Sequence, residues 1–231
     1  KRQTSAFFLA ILIGAVFGII NGLLVVGLNI TPVIATLGTM YVARGLAFIV
    51  AWWDGGANIN MGLPLDFADF GTRMVGSVPM YLIIMLLIVL FMGTVFARMN
   101  IVKYAFAIGS NKTAALLSGV KYSAVVLILY ILVGAFAGLS GATVASRIVT
   151  GAPKVGVNLE FEVIVAIVLG GTSIYGGEGS FWGMVLGALI VGLVSNTLNL
   201  LDVPFFYQIV LNGIILVGAV LLSRIIKERF T

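Results

Sequence analysis

RMNIVKYAFAIGSNKTAALLSGVK, residues Arg98 to Lys121, orders the reading of the whole chain. It is a polar, basic island between two long apolar runs, carrying Arg98, Lys103, Lys112 and Lys121 and no acid. The pattern predicts a short helix with its own start and stop signals. Ser110 or Asn111 caps the N-terminus, KTAALL supplies good helix formers, and Ser118-Gly119 ends it. A bilayer crossing takes about 20 helical residues, so this helix cannot cross. It lies at the membrane surface, where a partner outside the membrane can grip it.

The rest of the chain is built for lipid. Of its 231 residues 61% are hydrophobic and only 9% charged, with a mean hydropathy of +1.20. A water-soluble domain carries about 25% charged residues. The apolar runs are far too long for the alternating strands of an outer-membrane barrel. The fold class is therefore all-α, a polytopic helical membrane bundle. Seven apolar segments are expected as spans, at 5–27, 33–53, 79–97, 122–145, 160–174, 181–200 and 204–223. The fifth is short and ends in glycine, which predicts a tilted or broken crossing. Residues 1–231 read as a single transmembrane domain with 98–121 as its surface loop. The chain opens Lys1-Arg2-Gln3 with no readable signal peptide, and further sequence is expected upstream.

Orientation follows from the basic residues. The net charge of +5 is concentrated at the ends of apolar runs, which is a topology signal rather than a nucleic-acid one. The 98–121 loop and the tail with Arg224, Lys227 and Arg229 are both expected in the cytoplasm, and an even number of spans separates them. The loop 54–78, with Asp54, Asp66 and Asp69 against Arg73, then falls outside, and Trp52-Trp53 suits the outer interface. Lys1-Arg2 also falls outside by this count, against the rule.

Cysteine and histidine are both absent. That removes thiol nucleophiles, imidazole bases and the usual zinc sites, so no catalytic residue, metal or cofactor is expected in this chain. GGTSIYGGEG at 170–179 resembles a phosphate-binding loop only superficially, because GxxxxGK needs a lysine that is missing. GSNKT at 109–113 lacks the first glycine and the preceding strand. The chain has no such route to ATP. The 170–179 stretch reads as a tight cytoplasmic turn beside the basic island.

Polar residues within spans are few: Asn21, Thr36, Thr39, Arg44, Asn196, Asn199, Gln208 and Asn212. Such groups either bond between helices or line a hydrophilic path. Asn196 with Asn199, and Gln208 with Asn212, share helix faces. Arg44 sits near mid-depth and either snorkels outward or meets a carbonyl. Small residues recur at contact spacing, in Gly14-Gly18-Gly22, Gly134-Gly138 and Gly183-Gly187, for packing within the chain or for a dimer face. GAVFGIING from Gly14 is echoed by GAFAGLSG from Gly134, and VIATLGT from Val33 by VIVAIVLGGT from Val163. The copies run in opposite directions through the membrane. The echo is either an inverted repeat or a chance match between glycine-rich helices.

Three separated stretches resemble one family. AIGSNKTAALLSGVK (Ala107–Lys121) looks like the cytoplasmic coupling segment of sugar-type ABC importer permeases, the ribose and xylose group. VLGGTSIYGGEGSFWGMVLGALIVGLVSNTLNLL (Val168–Leu201) resembles that family's glycine turn and following span, and ITPVIATLGTMYVARGLAF (Ile30–Phe48) a third stretch. Family members are longer, with an N-terminal glycine- and aspartate-containing motif absent here. The chain thus resembles the C-terminal two-thirds of a permease. Asn196-Thr197 stands where relatives tend to have Asn-Gly.

The resemblance implies an ABC importer permease fold in a bacterial inner membrane. It implies a second permease subunit, two cytoplasmic ATPase domains carrying ATP-Mg, and an extracytoplasmic sugar-binding protein. Gly109, Asn111, Thr113, Ala114, Ala115, Leu117, Ser118 and Gly119 become the ATPase-coupling residues. Asn21, Thr36, Arg44, Asn196, Asn199, Gln208 and Asn212 become candidates for the translocation path. The loops 54–78 and 146–159 are expected to meet the binding protein. The expected cargo is a monosaccharide, with branched-chain amino acids as the alternative within the class. An ion-coupled secondary transporter is disfavoured by the lack of intramembrane acids and histidines.

Overall fold

The computed structural model describes residues 2–55, 61–63, 65–174, 176–204, 206–211, 213–215, 217–218 and 221. The elements run α1 (Arg2–Val26), α2 (Pro32–Gly55), β1 (Met61–Gly62), α3 (Leu65–Thr72), β2 (Met74–Val75), β3 (Val78–Pro79) and α4 (Met80–Arg98). They continue with α5 (Asn100–Ser110), α6 (Lys112–Leu117), α7 (Tyr122–Ile148), β4 (Thr150–Gly151), α8 (Leu159–Leu169) and α9 (Phe181–Leu200). They form two compact units, Lys1–Ile88 with Lys121–Val155, and Val89–Val120 with Gly156–Thr231.

The first unit is organised by α1 against α7. In lipid no hydrophobic effect drives helices together, so association depends on close backbone approach. Gly14 lies on the Gly134 carbonyl and Gly134 on the Gly14 carbonyl. Gly18 lies against Tyr130, and Gly138 against Ala10. Rising numbers on α1 meet falling numbers on α7, so the helices are antiparallel. The contacts are reciprocal: each pair becomes another when every residue is exchanged for its counterpart 120 positions away. The two echoed glycine phrases therefore pack on each other. Beyond them the echo weakens, since Val33 lies in the first turn of a 24-residue helix and Val163 lies in one of 11 residues.

At the far end of α7 the chain builds a small cap. Ser146 is completely buried; its hydroxyl donates to the Phe67 carbonyl (2.6 Å) and accepts from the Gly71 N–H (2.9 Å). Gly71 packs on the backbone of Ser146 and Arg147. Phe7 of α1 meets Phe67 and Phe70 of α3 with ring centroids 5.3 and 4.3 Å apart. Arg147 lies over the Tyr81 ring at 5.2 Å, a cation–π distance. β1 pairs antiparallel with β4, Met61 opposite Gly151 and Gly62 opposite Thr150. Ser146→Ala leaves a buried N–H and a carbonyl without that partner, at about 1–3 kcal/mol per unsatisfied group. Proteolysis within 61–79 is expected to accelerate in that variant; an unchanged rate would remove Ser146 from this role.

In the second unit α8 and α9 form an antiparallel hairpin, with Gly170 on the Gly183 carbonyl and Gly187 on the Ala166 carbonyl. Ser180 caps α9 by accepting from the Gly183 N–H.

Five of the seven expected segments are helices long and apolar enough to cross a membrane: Thr4–Val26, Pro32–Trp53, Met80–Arg98, Tyr122–Ile148 and Phe181–Leu200. The fifth expected segment is α8, which at 11 residues spans about 16 Å, roughly half a hydrocarbon core. It stops because Gly170 is its C-cap and Gly171 turns to φ +80°. The seventh holds the apolar helix Phe206–Ile215. Lys1, the tail residues Arg224, Lys227 and Arg229, and the side chains of Asp54 and Asp66 lie outside what is described. The helices present large apolar side chains outward, and α4 buries none of its residues. That surface suits acyl chains and the packing of further helices.

Candidate functional site

The expected surface helix is α6, Lys112–Leu117, with the boundaries its residues dictate. Asn111 is its N-cap: the Oδ1 accepts from the Ala114 N–H at 3.0 Å. The same residue closes α5, its N–H donating to the Ala107 carbonyl at 3.0 Å. Asn111 is thus the corner between two helices. At the other end the Ser118 hydroxyl donates to the Ala114 carbonyl (2.9 Å), and Gly119 adopts φ +83°. Val120 N–H returns to the Ala115 carbonyl at 3.1 Å.

The helix has two distinct faces. Ala115 is buried, so it seats the helix rather than offering itself to a partner. Lys112, Thr113, Ala114 and Ser118 are exposed, as is Leu116, and Leu117 is 85% exposed. Of the eight coupling candidates, Thr113, Ala114, Leu117 and Ser118 are therefore outward, Asn111 and Gly119 shape the corners, and Gly109 lies in the last turn of α5.

Residues 100–110, read above as part of a loop, are the helix α5. Its signal was the helical i, i+3, i+4 spacing of Val102, Ala105 and Phe106, which turn inward while Lys103, Tyr104 and Ala107 are exposed. Phe106 meets Phe96 at 5.7 Å, Phe96 meets Phe181 at 5.5 Å, and Phe181 meets Trp182 at 5.4 Å. This aromatic cluster ties α5 to the end of α4 and the start of α9.

The glycine-rich turn sits beside the same corner. A Cβ placed on Gly109 would lie 2.5 Å from the Gly177 nitrogen and 3.3 Å from Gly176 Cα. One placed on Gly177 would lie 2.6 Å from Ser110 Oγ. Gly176 and Gly177 both have positive φ, +88° and +82°. Backbone meets backbone here, and the turn is closed by Ser173 N–H to the Glu178 carbonyl at 3.0 Å.

The intramembrane polar residues fall into separate groups. The Thr39 hydroxyl donates to Asn21 Oδ1 at 2.7 Å, joining α1 and α2. Thr36 donates within its own helix to the Pro32 carbonyl at 2.9 Å, and Arg44 is half-buried on α2. In the second unit Gln208 Nε2 donates to Asn199 Oδ1 (3.0 Å) and to the Val203 carbonyl (2.9 Å). Asn196 is exposed on α9, and Asn212 lies outside the described residues. Both side-chain pairs join residues from different segments, which spacing along a single helix cannot reveal. Among the described residues no group of acids gathers to hold a metal.

Known proteins extend this picture. The sequence model of the family described as branched-chain amino acid transport system / permease component matches residues 3–220. The chain is 40% identical over 204 residues to the ribose import permease protein of Bacillus subtilis, covering 88% of this chain and 63% of that one. It is 34% identical over 218 residues to the D-allose transport system permease protein of Escherichia coli, covering 94% and 66%. It is 37% identical over 215 residues to the L-arabinose ABC transporter permease protein of Azospirillum brasilense, covering 93% and 62%. The chain thus spans somewhat less than two thirds of these relatives. No solved structure matches it.

Proposed function

Since the chain belongs to the branched-chain amino acid transport system / permease component family, we propose that it is the permease subunit of an ATP-driven monosaccharide importer. It is a multi-pass, non-catalytic membrane subunit of that family. The relatives named above carry ribose, allose and arabinose in their names, which supports a sugar over a branched-chain amino acid. The family match runs through both compact units and supports reading residues 1–231 as one permease domain.

The observation that carries the reading is α6: a capped helix of six residues, seated by Ala115 and presenting Leu117 outward. It has the form of a knob for a groove in a cytoplasmic ATPase, which would hold ATP-Mg. Hydrolysis there would move α6, and rigid-body rocking of the spans would alternate access to the path. In this reading the loop 98–121 and the C-terminus are cytoplasmic. A second permease subunit completes the assembly, as a homodimer or with a sibling chain.

Outside, β1 from the 54–78 loop pairs with β4 from the 146–159 loop. The two stretches expected to receive the sugar-binding protein are therefore tied together at Met61–Gly62 and Thr150–Gly151, and this pairing supports that role. Asn21, Thr36, Arg44, Asn196, Asn199, Gln208 and Asn212 remain the proposed polar groups of the path. The Asn21–Thr39 and Asn199–Gln208 bonds are equally suited to fastening segments together, at about 0.6–2 kcal/mol each.

Affinity purification of this chain from its native membrane, followed by mass spectrometry, tests the assignment. An ABC ATPase and an extracytoplasmic binding protein that takes up a monosaccharide are expected. Recovery of a binding protein selective for branched-chain amino acids would overturn the cargo. Recovery of the chain with no ATPase would overturn the class.

A further inference from the structure

The contact between the α5–α6 corner and the glycine turn has a mechanical consequence within the second unit. Three features converge there. Gly109 and Ser110 meet Gly176 and Gly177 with no space for a side chain, so the two backbones bear directly on each other. Phe106 and Phe181, each packed on Phe96, hold α5 to the start of α9 one step deeper. The turn itself is short and closed, and it continues into a hairpin whose helices touch through Gly170, Gly183 and Gly187.

A side chain at Gly109 or Gly177 would act as a soft spacer between the corner and the turn. Bare backbone leaves none. Packed elements transmit displacement because close-packed contacts have low compressibility, and movement of such elements is rigid-body in kind.

We propose that Gly109 and Gly177 form a rigid joint through which α5, α6 and the α8–α9 hairpin move as one body. The glycine turn is then the receiver of the movement imposed on α6. Gly109 and Gly177 are positioning residues, touching neither solute nor nucleotide. The inference rests on the functional reading above and adds to it the path by which movement at α6 reaches the membrane.

These 231 residues contain no cysteine, so introduced thiols are the only ones among them. Ser110→Cys with Glu178→Cys, one residue beyond Gly177, places a thiol pair across the joint, in a transport complex assembled with cysteine-free partner subunits. A short bis-methanethiosulfonate bridges it, and a reductant releases it. The joint predicts that bridging leaves ATP-driven monosaccharide uptake at the rate of the unbridged pair. Uptake lost on bridging and restored by reductant would mean that the two elements must separate, and would overturn the joint.

A second variant probes the same contact without thiols. Gly109→Ala favours the α5 helix but drives a methyl group into the Gly177 backbone. It is expected to retain bound ATPase while uptake per ATP falls by about fivefold or more, the scale of a coupling free energy. Gly45→Ala on α2, with open space around it, serves as control. Gly109→Ala behaving like that control would also overturn the joint. If the unmodified complex shows no ATP-driven uptake, the functional reading falls and takes the inference with it. If that complex is active and only the bridged one stops, the inference falls alone.

Discussion

Gly134→Val is expected to abolish a stably folded first unit. The added atoms meet the Gly14 carbonyl, and a backbone carbonyl in a helix cannot rotate aside as a side chain tip can. The helices must separate along their contact, which also disengages Gly18 from Tyr130 and Gly138 from Ala10. Overpacking costs about 1–3 kcal/mol where neighbours can adjust, and more where they cannot. In lipid no gain from water release offsets it. The reciprocity of the contact adds a sharper expectation: Gly18→Ala and Gly138→Ala should destabilise by similar amounts. Gly38→Ala and Gly45→Ala, with no atom within 4 Å of an added Cβ, should be neutral by comparison. Thermal unfolding and size-exclusion profiles of the detergent-solubilised protein would check this. A Gly134→Val protein indistinguishable from the parent would refute the α1–α7 contact.

The second result concerns the exposed face of α6. Leu117→Glu and Ala114→Arg are expected to preserve folding while uncoupling hydrolysis from transport. Both side chains point out of the unit, so a charge there costs the isolated chain little. In a partner's apolar groove the same charge is buried without a counter-charge, which costs several kcal/mol. Solute-stimulated ATP hydrolysis should fall toward its basal rate, with normal yield of the membrane subunit. Ala115→Arg should behave differently, because Ala115 is buried and a long cation there unseats the helix. It is expected to lower yield. Unchanged solute-stimulated hydrolysis in Leu117→Glu would remove α6 from the coupling role.

The contrast between these residues shows what the sequence carried. The capped helix was legible to within a residue, because Asn111 and Gly119 satisfy local rules that need no knowledge of the rest of the fold. The long spans were legible for the same reason, through composition over about 20 residues. Which side of α6 turns inward was not legible. KTAALL is too short for a hydrophobic period to distinguish Ala114 from Ala115, and only the seating of the helix decides it.

The polar pairs were hidden for another reason. Asn21 with Thr39 and Asn199 with Gln208 depend on how successive segments fold back on each other. The glycine phrases at 14 and 134 could be matched by eye, but their mutual contact is a tertiary fact. α5 was missed because a stretch set within a basic island reads as a loop until its inward Phe106 finds Phe96 to pack on. The 160–174 segment looked like a short span; its glycines at 170 and 171 end it as a half-length helix against α9.

Reconstitution of the purified transport complex into vesicles tests the functional account most directly. With the binding protein and a labelled monosaccharide on one side and ATP on the ATPase side, uptake is expected, and it should persist when all ion gradients are collapsed. Uptake that continues without ATP, driven by an ion gradient alone, would contradict the account.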